Sequence, residues 1–343
     1  MYYVDATPIE SKKPVLKLEA LWWMTRPVSR TSIVLPVLGW ASADNSPTID
    51  SLVVLLAFIG LAKPAYALLN DLVDEENDKI TNPHLPLPSN MLSRQEAIVC
   101  MLLTFIGAVV ALYYAGSISQ SFLINVGLLF IVFIAGYLYC IFKHTGFVAS
   151  ILAAIPFPIG VIMGWLVAGG GNVKNLLIVA IYAFITGFCN NVLAALWDMD
   201  KDPLVGNNTI PVRIGPKKAF LLVVILNVVS SALIIFLALT IPRGYYCLPL
   251  FVAALVLMVK SIQPLLDKFS QPNRGRSQRL NDVWLWSFGS YLRTISILCI
   301  FSLSLGLIVG IIVGSLSENM LRSYNHRIVE GTLLKDLQQI SAG

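Results

Sequence analysis

The chain has 343 residues, 57% of them hydrophobic and 13% charged, with a formal net charge of +5. Its mean hydropathy of +0.76 lies far outside the range of soluble domains, which excludes a water-soluble globular enzyme and indicates an integral, multi-pass membrane protein. The lipid bilayer is the expected partner, and nucleic acid is not one.

Residues 1–20 read as a polar lead-in. They hold Lys12, Lys13 and Lys17 and lack a short apolar run ahead of a small-residue cleavage site, so the first helix is expected to be a retained anchor. Runs of about 20 apolar residues follow near 21–43, 50–70, 94–115, 120–141, 147–168, 175–197, 218–241, 245–263 and 290–315. They predict nine transmembrane helices in one catalytic domain, 21–317. The tail 318–343 alternates charges with scattered Leu and Ile and predicts an amphipathic surface helix. Cys100, Cys140, Cys189, Cys247 and Cys299 stand singly along the runs, with no CxxC pair, and read as small apolar packers. Basic residues gather in alternate loops: the N-terminal lysines, Lys79 and Arg94, Lys143, Lys201 with Arg213, Lys217 and Lys218, and Lys268 with Arg274, Arg276 and Arg279. The opposite loops hold only Lys174, Arg243 and the tail, so the N-terminus and the first set of loops are expected in the cytoplasm.

In the first span, Trp22 and Trp23 mark the headgroup level. Arg26 beside them reads as a snorkelling cation that becomes functional only beside an anion. The second span carries Lys63, for which a snorkelling cation and a phosphate ligand are equally good readings. It leads into Asn70-Asp71-Leu72-Val73-Asp74-Glu75-Glu76-Asn77-Asp78, the densest burst of carboxylates in the chain. If the helix continues through this stretch, Asn70, Asp74 and Asp78 recur every four residues and stack on one face. Carboxylates so crowded repel unless a hard cation such as Mg²⁺ neutralises them, so the stretch predicts a metal site. Pro83, Pro86 and Pro88 then forbid a regular helix, and Ser93 is placed to cap the next one.

The fourth span ends in Gly136 to Gly146, where Tyr137, Tyr139 and Lys143 read as an aromatic belt with a positive-inside lysine. The sixth ends in a second acidic cluster, with Asp198 and Asp202 four apart and Asn191 further back on the same face. Roughly 120 residues separate the two clusters, a weak internal repeat of the kind in which matched segments of two halves build one site. Arg293, early in the last span, reads as an interfacial anchor.

The pattern Asn70-Asp-x-x-Asp74-x-x-x-Asp78, the following Asn82-Pro83-x-x-Pro86-x-Pro88-Ser89, and the later Asp198-x-x-x-Asp202-x-x-x-Gly206-x-x-Thr209 resemble the UbiA superfamily of intramembrane prenyltransferases. Arg26-Pro27, the Tyr and Lys143 segment and the nine spans extend the resemblance over nearly the whole chain. It implies an all-α integral membrane fold, nine transmembrane helices around a central cavity opening to the cytoplasmic face. It also implies that Asn70, Asp74, Asp78, Asp198 and Asp202 bind Mg²⁺, the four aspartates being catalytic, and that the metal bridges to the diphosphate of an isoprenyl diphosphate. Basic residues grip the remaining phosphate oxygens, a role that falls here to Arg26, Lys63 and Lys143. Tyr137, Tyr139 and Trp197 are the candidate aromatic faces beside an allylic cation.

The chain departs from the family pattern. Asn82 and Leu85 stand where arginines are usual, Asn208 stands where a basic residue is common, and Asn191 and Ala195 occupy positions where some members have an aspartate. Lys63 replaces part of the missing charge. The expected activity is transfer of a prenyl group to an aromatic or other lipophilic acceptor. The alternative is a UbiA-type terpene cyclase, in which the cation is captured by the chain's own double bonds. A cation transporter is disfavoured because the carboxylates lie at helix ends rather than in mid-membrane.

Overall fold

The computed structural model describes residues 9–26, 30–43, 48–268 and 284–329, together with 333 and 335. Most of the basic loop 263–282 and of the tail beyond 329 therefore lies outside the described residues. All regular structure among the described residues is helical: α1 Ile9–Met24, α2 Arg30–Ala41, α3 Ile49–Thr81, α4 Arg94–Ser119, α5 Phe122–Ile141, α6 Phe147–Ala154, α7 Pro156–Val167, α8 Val173–Asp198, α9 Ile210–Ile214, α10 Pro216–Thr240, α11 Leu248–Lys268, α12 Trp284–Phe301 and α13 Leu303–Tyr324. Short 3-10 turns at Lys143–Thr145 and Asp202–Val205 and a π turn at Asn325–Val329 complete the parts that matter below.

Among the described residues seven helical segments are long and apolar enough to cross a bilayer, α6 and α7 together counting as one of them, with shorter apolar helices at Thr31–Ala41, Leu285–Phe301 and Leu303–Ser317 beside them. Three of the nine expected runs are not single helices; the fifth, 147–168, is divided at Ile155 into α6 and α7, which still cross as one segment. The first is split between α1 and α2. The ninth breaks at Ser302 and doubles back, so that α13 lies antiparallel against α12. Tyr291 on α12 donates its hydroxyl to Gly310 O at 2.8 Å, and Gly306 backs onto Cys299. A Cβ at Gly306 would lie 2.4 Å from Cys299 Sγ, so the small residue lets the two helices close. The reversal returns the chain to the end of the bundle where it started, and the described segment through Val329 is therefore not on the opposite side from the acidic clusters, as a ninth single span required.

α3 is continuous for 33 residues, with Pro64 inside it. At 1.5 Å per residue that is roughly 50 Å, against a hydrocarbon core of about 30 Å, so its final turns carry Asn70 to Asp78 out at one membrane boundary. Thr48 caps its start by accepting from Ser51 N. Ser93 and Glu96 form a full capping box on α4, which fixes where the chain re-enters the bundle after the proline-rich loop.

The helices divide by burial. In α8, 56% of the apolar window is buried, against 22% in α4, so α8 is the central staff and α4 faces lipid. α2 crosses α7 so closely that a Cβ on Gly39 would sit 2.0 Å from Val161 O, and one on Gly164 would sit 1.9 Å from Pro36 O. Only glycine permits that crossing, a packing device typical of membrane helices.

Arg293 is not an interfacial anchor. It is 1% exposed on α12, donates Nη1 to Asn227 O and Ser230 Oγ at 3.0 Å each, and stacks over the Tyr182 ring at 5.4 Å. Its partners are neutral acceptors and a ring face, which fasten α12 to α10 and α8 from inside the apolar core.

Candidate active site

The continuity of α3 sets the first half of the site. Asn70 and Asp74 point toward the end of α5: Cys140 Sγ lies 3.2 Å from Asn70 Oδ1 and 3.8 Å from Asp74 Oδ2. Lys143, on the 3-10 turn after α5, forms an ion pair with Asp74, which is 5% exposed. Asp78 Oδ1 accepts from Asn82 Nδ2 at 3.1 Å. Asp71, one residue off the four-residue stripe, pairs with Arg26, so Arg26 does stand beside an anion. Lys63 donates to the Arg26 carbonyl oxygen and thus holds the backbone of Arg26, whose φ of 49° is left-handed.

The second half is built differently. α8 ends at Asp198, and Asp202 opens the following 3-10 turn. Thr209 donates to Asp202 Oδ2 at 2.8 Å and Asn207 to Oδ1 at 3.5 Å. Burial pushes the Asp202 carboxyl up to about 6, against the pull of Thr209. Asn191, on the face of α8 that leads to Asp198, accepts from Ser150 Oγ at 2.8 Å and bonds Tyr139.

Two lysines bring the halves together. Lys201 Nζ, between Asp198 and Asp202, donates to Thr81 O at 2.6 Å and to Asn82 Oδ1 at 3.0 Å, tying the second acidic turn to the end of α3. Lys143 sits 5.2 Å from the Tyr139 ring centroid, and its charge acts on Asp78 and Asp202 as well as Asp74. Burial alone would lower the Lys143 pKa, but Tyr139, Asp74 and Cys140 hold it above the ordinary lysine value. Its ammonium stands in the midst of the carboxylates.

Of the residues expected in the site, Asn70, Asp74, Asp78, Asp202, Arg26, Lys63, Lys143 and Tyr139 are brought to this end of the bundle, with Asp198 closing α8 beside them. Tyr137 is not. It is 48% exposed on the outer side of α5, because residues two apart on a helix face different ways. Sequence reasoning missed Asp71, Cys140 and Lys201. Cys140 passed for a packer and Lys201 for a positive-inside loop residue. Asp71 lies seven residues before Asp78, a spacing that could have placed it on the Arg26 side.

Among the described residues no three of His, Cys, Asp and Glu stand close enough to hold one ion between them. This fits Mg²⁺, which usually keeps several waters and takes one or two carboxylates together with substrate phosphates rather than a protein cage. The donor set, carboxylate and amide oxygens at two apposed helix ends, is hard and suits that ion.

A bundle of apolar helices with two acidic ends tied together at one membrane boundary is the framework of an intramembrane protein. Residues 32–288 match the UbiA prenyltransferase family. The chain belongs to that family and is a prenyltransferase. It is similar to the digeranylgeranylglyceryl phosphate synthase of Pyrococcus horikoshii, 25% identical over 77% of this chain and 90% of the relative. It is also similar to that of Korarchaeum cryptofilum, 28% identical over 76% and 92%. Among solved structures, a UbiA homologue from Archaeoglobus fulgidus bound to DMAPP and Mg²⁺ superposes with a TM-score of 0.56 at 18% identity, covering 85% of this chain and 98% of that one. An apo UbiA homologue from Aeropyrum pernix K1 gives 0.57 at 16% identity, covering 83% and 98%. These two likenesses establish the fold.

Proposed function

We propose that the protein ionises an isoprenyl diphosphate with Mg²⁺ at the acidic end of the bundle and transfers the prenyl group to a lipophilic acceptor. The observation that carries this reading is the convergence of two acidic helix ends on Lys143, with Lys201 joining them. Asn70, Asp74, Asp78, Asp198 and Asp202 would supply the oxygen ligands for Mg²⁺. When bound, the metal supplies Lewis acidity and a template for the diphosphate. Arg26 and Lys143, paired with Asp71 and Asp74, would be shared with the phosphate oxygens, and Lys63 sets the position of Arg26.

As the allylic C–O bond breaks, its electron pair leaves with the diphosphate, and fixed cations at the helix ends disperse the charge that develops there. The apolar helices keep water from the allylic cation, and the Tyr139 ring offers it a π face. A nucleophile on the acceptor forms the new bond and gives up its proton. The names of the relatives describe a prenylated glyceryl phosphate, which supports transfer to an acceptor over cyclisation, and the solved complex with DMAPP supports an allylic diphosphate as donor. The acidic end faces the cytoplasm in this reading, as the distribution of Lys and Arg asks.

The test is turnover of purified protein with Mg²⁺ and allylic diphosphates of several chain lengths, followed by mass spectrometry of the products with and without added lipid extract. Pyrophosphate release with an adduct that needs the extract is expected. A cyclic hydrocarbon or terpene alcohol formed without it would replace transfer by cyclisation, and no release with any donor would overturn both.

A further inference from the structure

The two segments that flank the family match meet each other over the site. α1 precedes residue 32 and the π turn Asn325–Val329 follows residue 288. Arg327 donates Nε to Glu19 Oε1 at 2.6 Å and Nη2 to Oε2 at 2.7 Å, a two-pronged pair with defined geometry. Trp23 Nε1 adds a bond to the same carboxylate at 3.3 Å. The next residue along, Ile328, is 2% exposed and lines a pocket whose polar walls are Arg26, Asp71 and Asp78. Trp23, Met24 and Leu87 form its apolar side, and Leu333 is fully buried in the same cluster. The Ser302 reversal is what delivers this segment to the acidic end at all.

We propose that this clasp is a solvent barrier of the active site, in which Glu19 and Arg327 are positioning residues that seat Ile328 as a wall between the diphosphate pocket and bulk water. The inference rests on the prenyl diphosphate reading above. Its chemical meaning is a choice of nucleophile. Once the allylic C–O bond has broken and the electron pair has gone with the diphosphate, the cation is captured either by the acceptor or by water. Capture by water forms a C–O bond to the water oxygen, releases a proton and yields a linear prenyl alcohol. A wall of Ile328, Met24 and Leu87 next to the charged groups disfavours the second course. The pair itself is partly exposed, so its role is to fix geometry more than to add stability.

The test uses full-length protein in liposomes with Mg²⁺ and geranyl diphosphate as the probe, without acceptor, and measures linear alcohol carrying oxygen from isotopically labelled water. Arg327→Gln and Ile328→Ala are expected to raise that hydrolysis several-fold over wild type. The charge exchange Glu19→Arg with Arg327→Glu is expected to bring it back toward wild type, which a merely unfolded tail would not do. A second readout does not depend on turnover: Leu87→Cys, labelled with a membrane-impermeant maleimide, should react several-fold faster when Arg327→Gln is added. Unchanged labelling together with unchanged hydrolysis would overturn the clasp. If neither wild type nor any variant consumes the probe, the functional reading fails, and the labelling alone decides the barrier: faster upholds it, unchanged ends it.

Discussion

The two acidic ends look like copies of each other along the chain, yet they are built on opposite principles. At the end of α3 the helix runs unbroken and three of its carboxylates are matched by cations, Asp71 with Arg26, Asp74 with Lys143, and Glu75 with Arg94 at 2.5 Å, while Asp78 accepts from Asn82. At the end of α8 the helix stops, and Asp202 is held by the neutral donors Thr209 and Asn207. The first end has its charge partly balanced before any ligand arrives. The second keeps a buried carboxylate that no described lysine or arginine bonds directly. A hard cation therefore gains most by approaching the Asp202 side, whereas the α3 side offers cations that a diphosphate can share. On the proposed reading both ends ligate Mg²⁺ but divide the rest of the labour: the α3 side also grips phosphate, whereas the Asp202 side serves the metal alone.

The largest expected effects come from removing the carboxylates. Asp74→Asn and Asp198→Asn should each lower kcat by on the order of 10²–10³-fold, as loss of one charge-stabilising element typically does. Measured by pyrophosphate release in liposomes, with monodispersity in detergent as the fold control, a loss of activity without loss of folding is expected. If the division of labour holds, Asp202→Asn should raise the Mg²⁺ concentration needed for half-maximal rate more than Asp71→Asn does. Equal shifts would erase the distinction between the two ends.

Lys143→Met attacks the first end from the other side. It strips the partner from a buried Asp74, and breaking a buried pair in this way costs about 3 kcal/mol of stability. A lower unfolding midpoint in detergent is expected, with much of it regained in the double variant Lys143→Met with Asp74→Asn. Activity should not return in the double variant, because the cation and the carboxylate are both needed. Recovery of activity would mean that Lys143 serves folding alone.

The apolar framework and the acidic stripe were legible because they depend on period alone. Runs of about 20 apolar residues announce spans, and the four-residue repeat of Asn70, Asp74 and Asp78 needs only a helix that does not stop. What could not be read was where a run turns back. Nothing in the hydropathy of 290–315 marks Ser302 as a reversal, since Gly306, Gly310 and Gly314 on one face are equally compatible with a straight span, and the reversal moves the described segment through Val329 to the other end. Arg293 failed for a related reason. An arginine early in an apolar run looks like an anchor, and only the approach of Asn227, Ser230 and Tyr182 from other helices gives it an interior place. Cys140 and Lys201 became site neighbours through contacts about 66 and 120 residues distant in the chain, which no local pattern encodes.

Lys201→Met probes the tie between the ends. Its ammonium bonds Thr81 O and Asn82 Oδ1 from the second turn, so its loss should loosen the register of the halves rather than remove a ligand. A rise in KM for donor with a smaller fall in kcat is expected, the mark of misplacement. Asn82→Ala should reproduce part of it. If Lys201 instead acts on phosphate directly, Asn82→Ala will leave KM unchanged while Lys201→Met does not.

The smallest effect belongs to Lys63, and it is the one that most sharpens the division. Its ammonium is spent on the Arg26 carbonyl, so it reaches the substrate through Arg26. Replacing it with Met removes one charge-assisted hydrogen bond, about 1.5 kcal/mol, which corresponds to roughly tenfold in apparent donor affinity. Because the effect passes through Arg26, Lys63→Met added to Arg26→Gln should cost little beyond Arg26→Gln alone, measured as donor KM in the same liposomes. Additive losses would show that Lys63 touches phosphate itself. The grip on the α3 side would then hold one more direct cation, and the contrast with the neutral donors around Asp202 would widen.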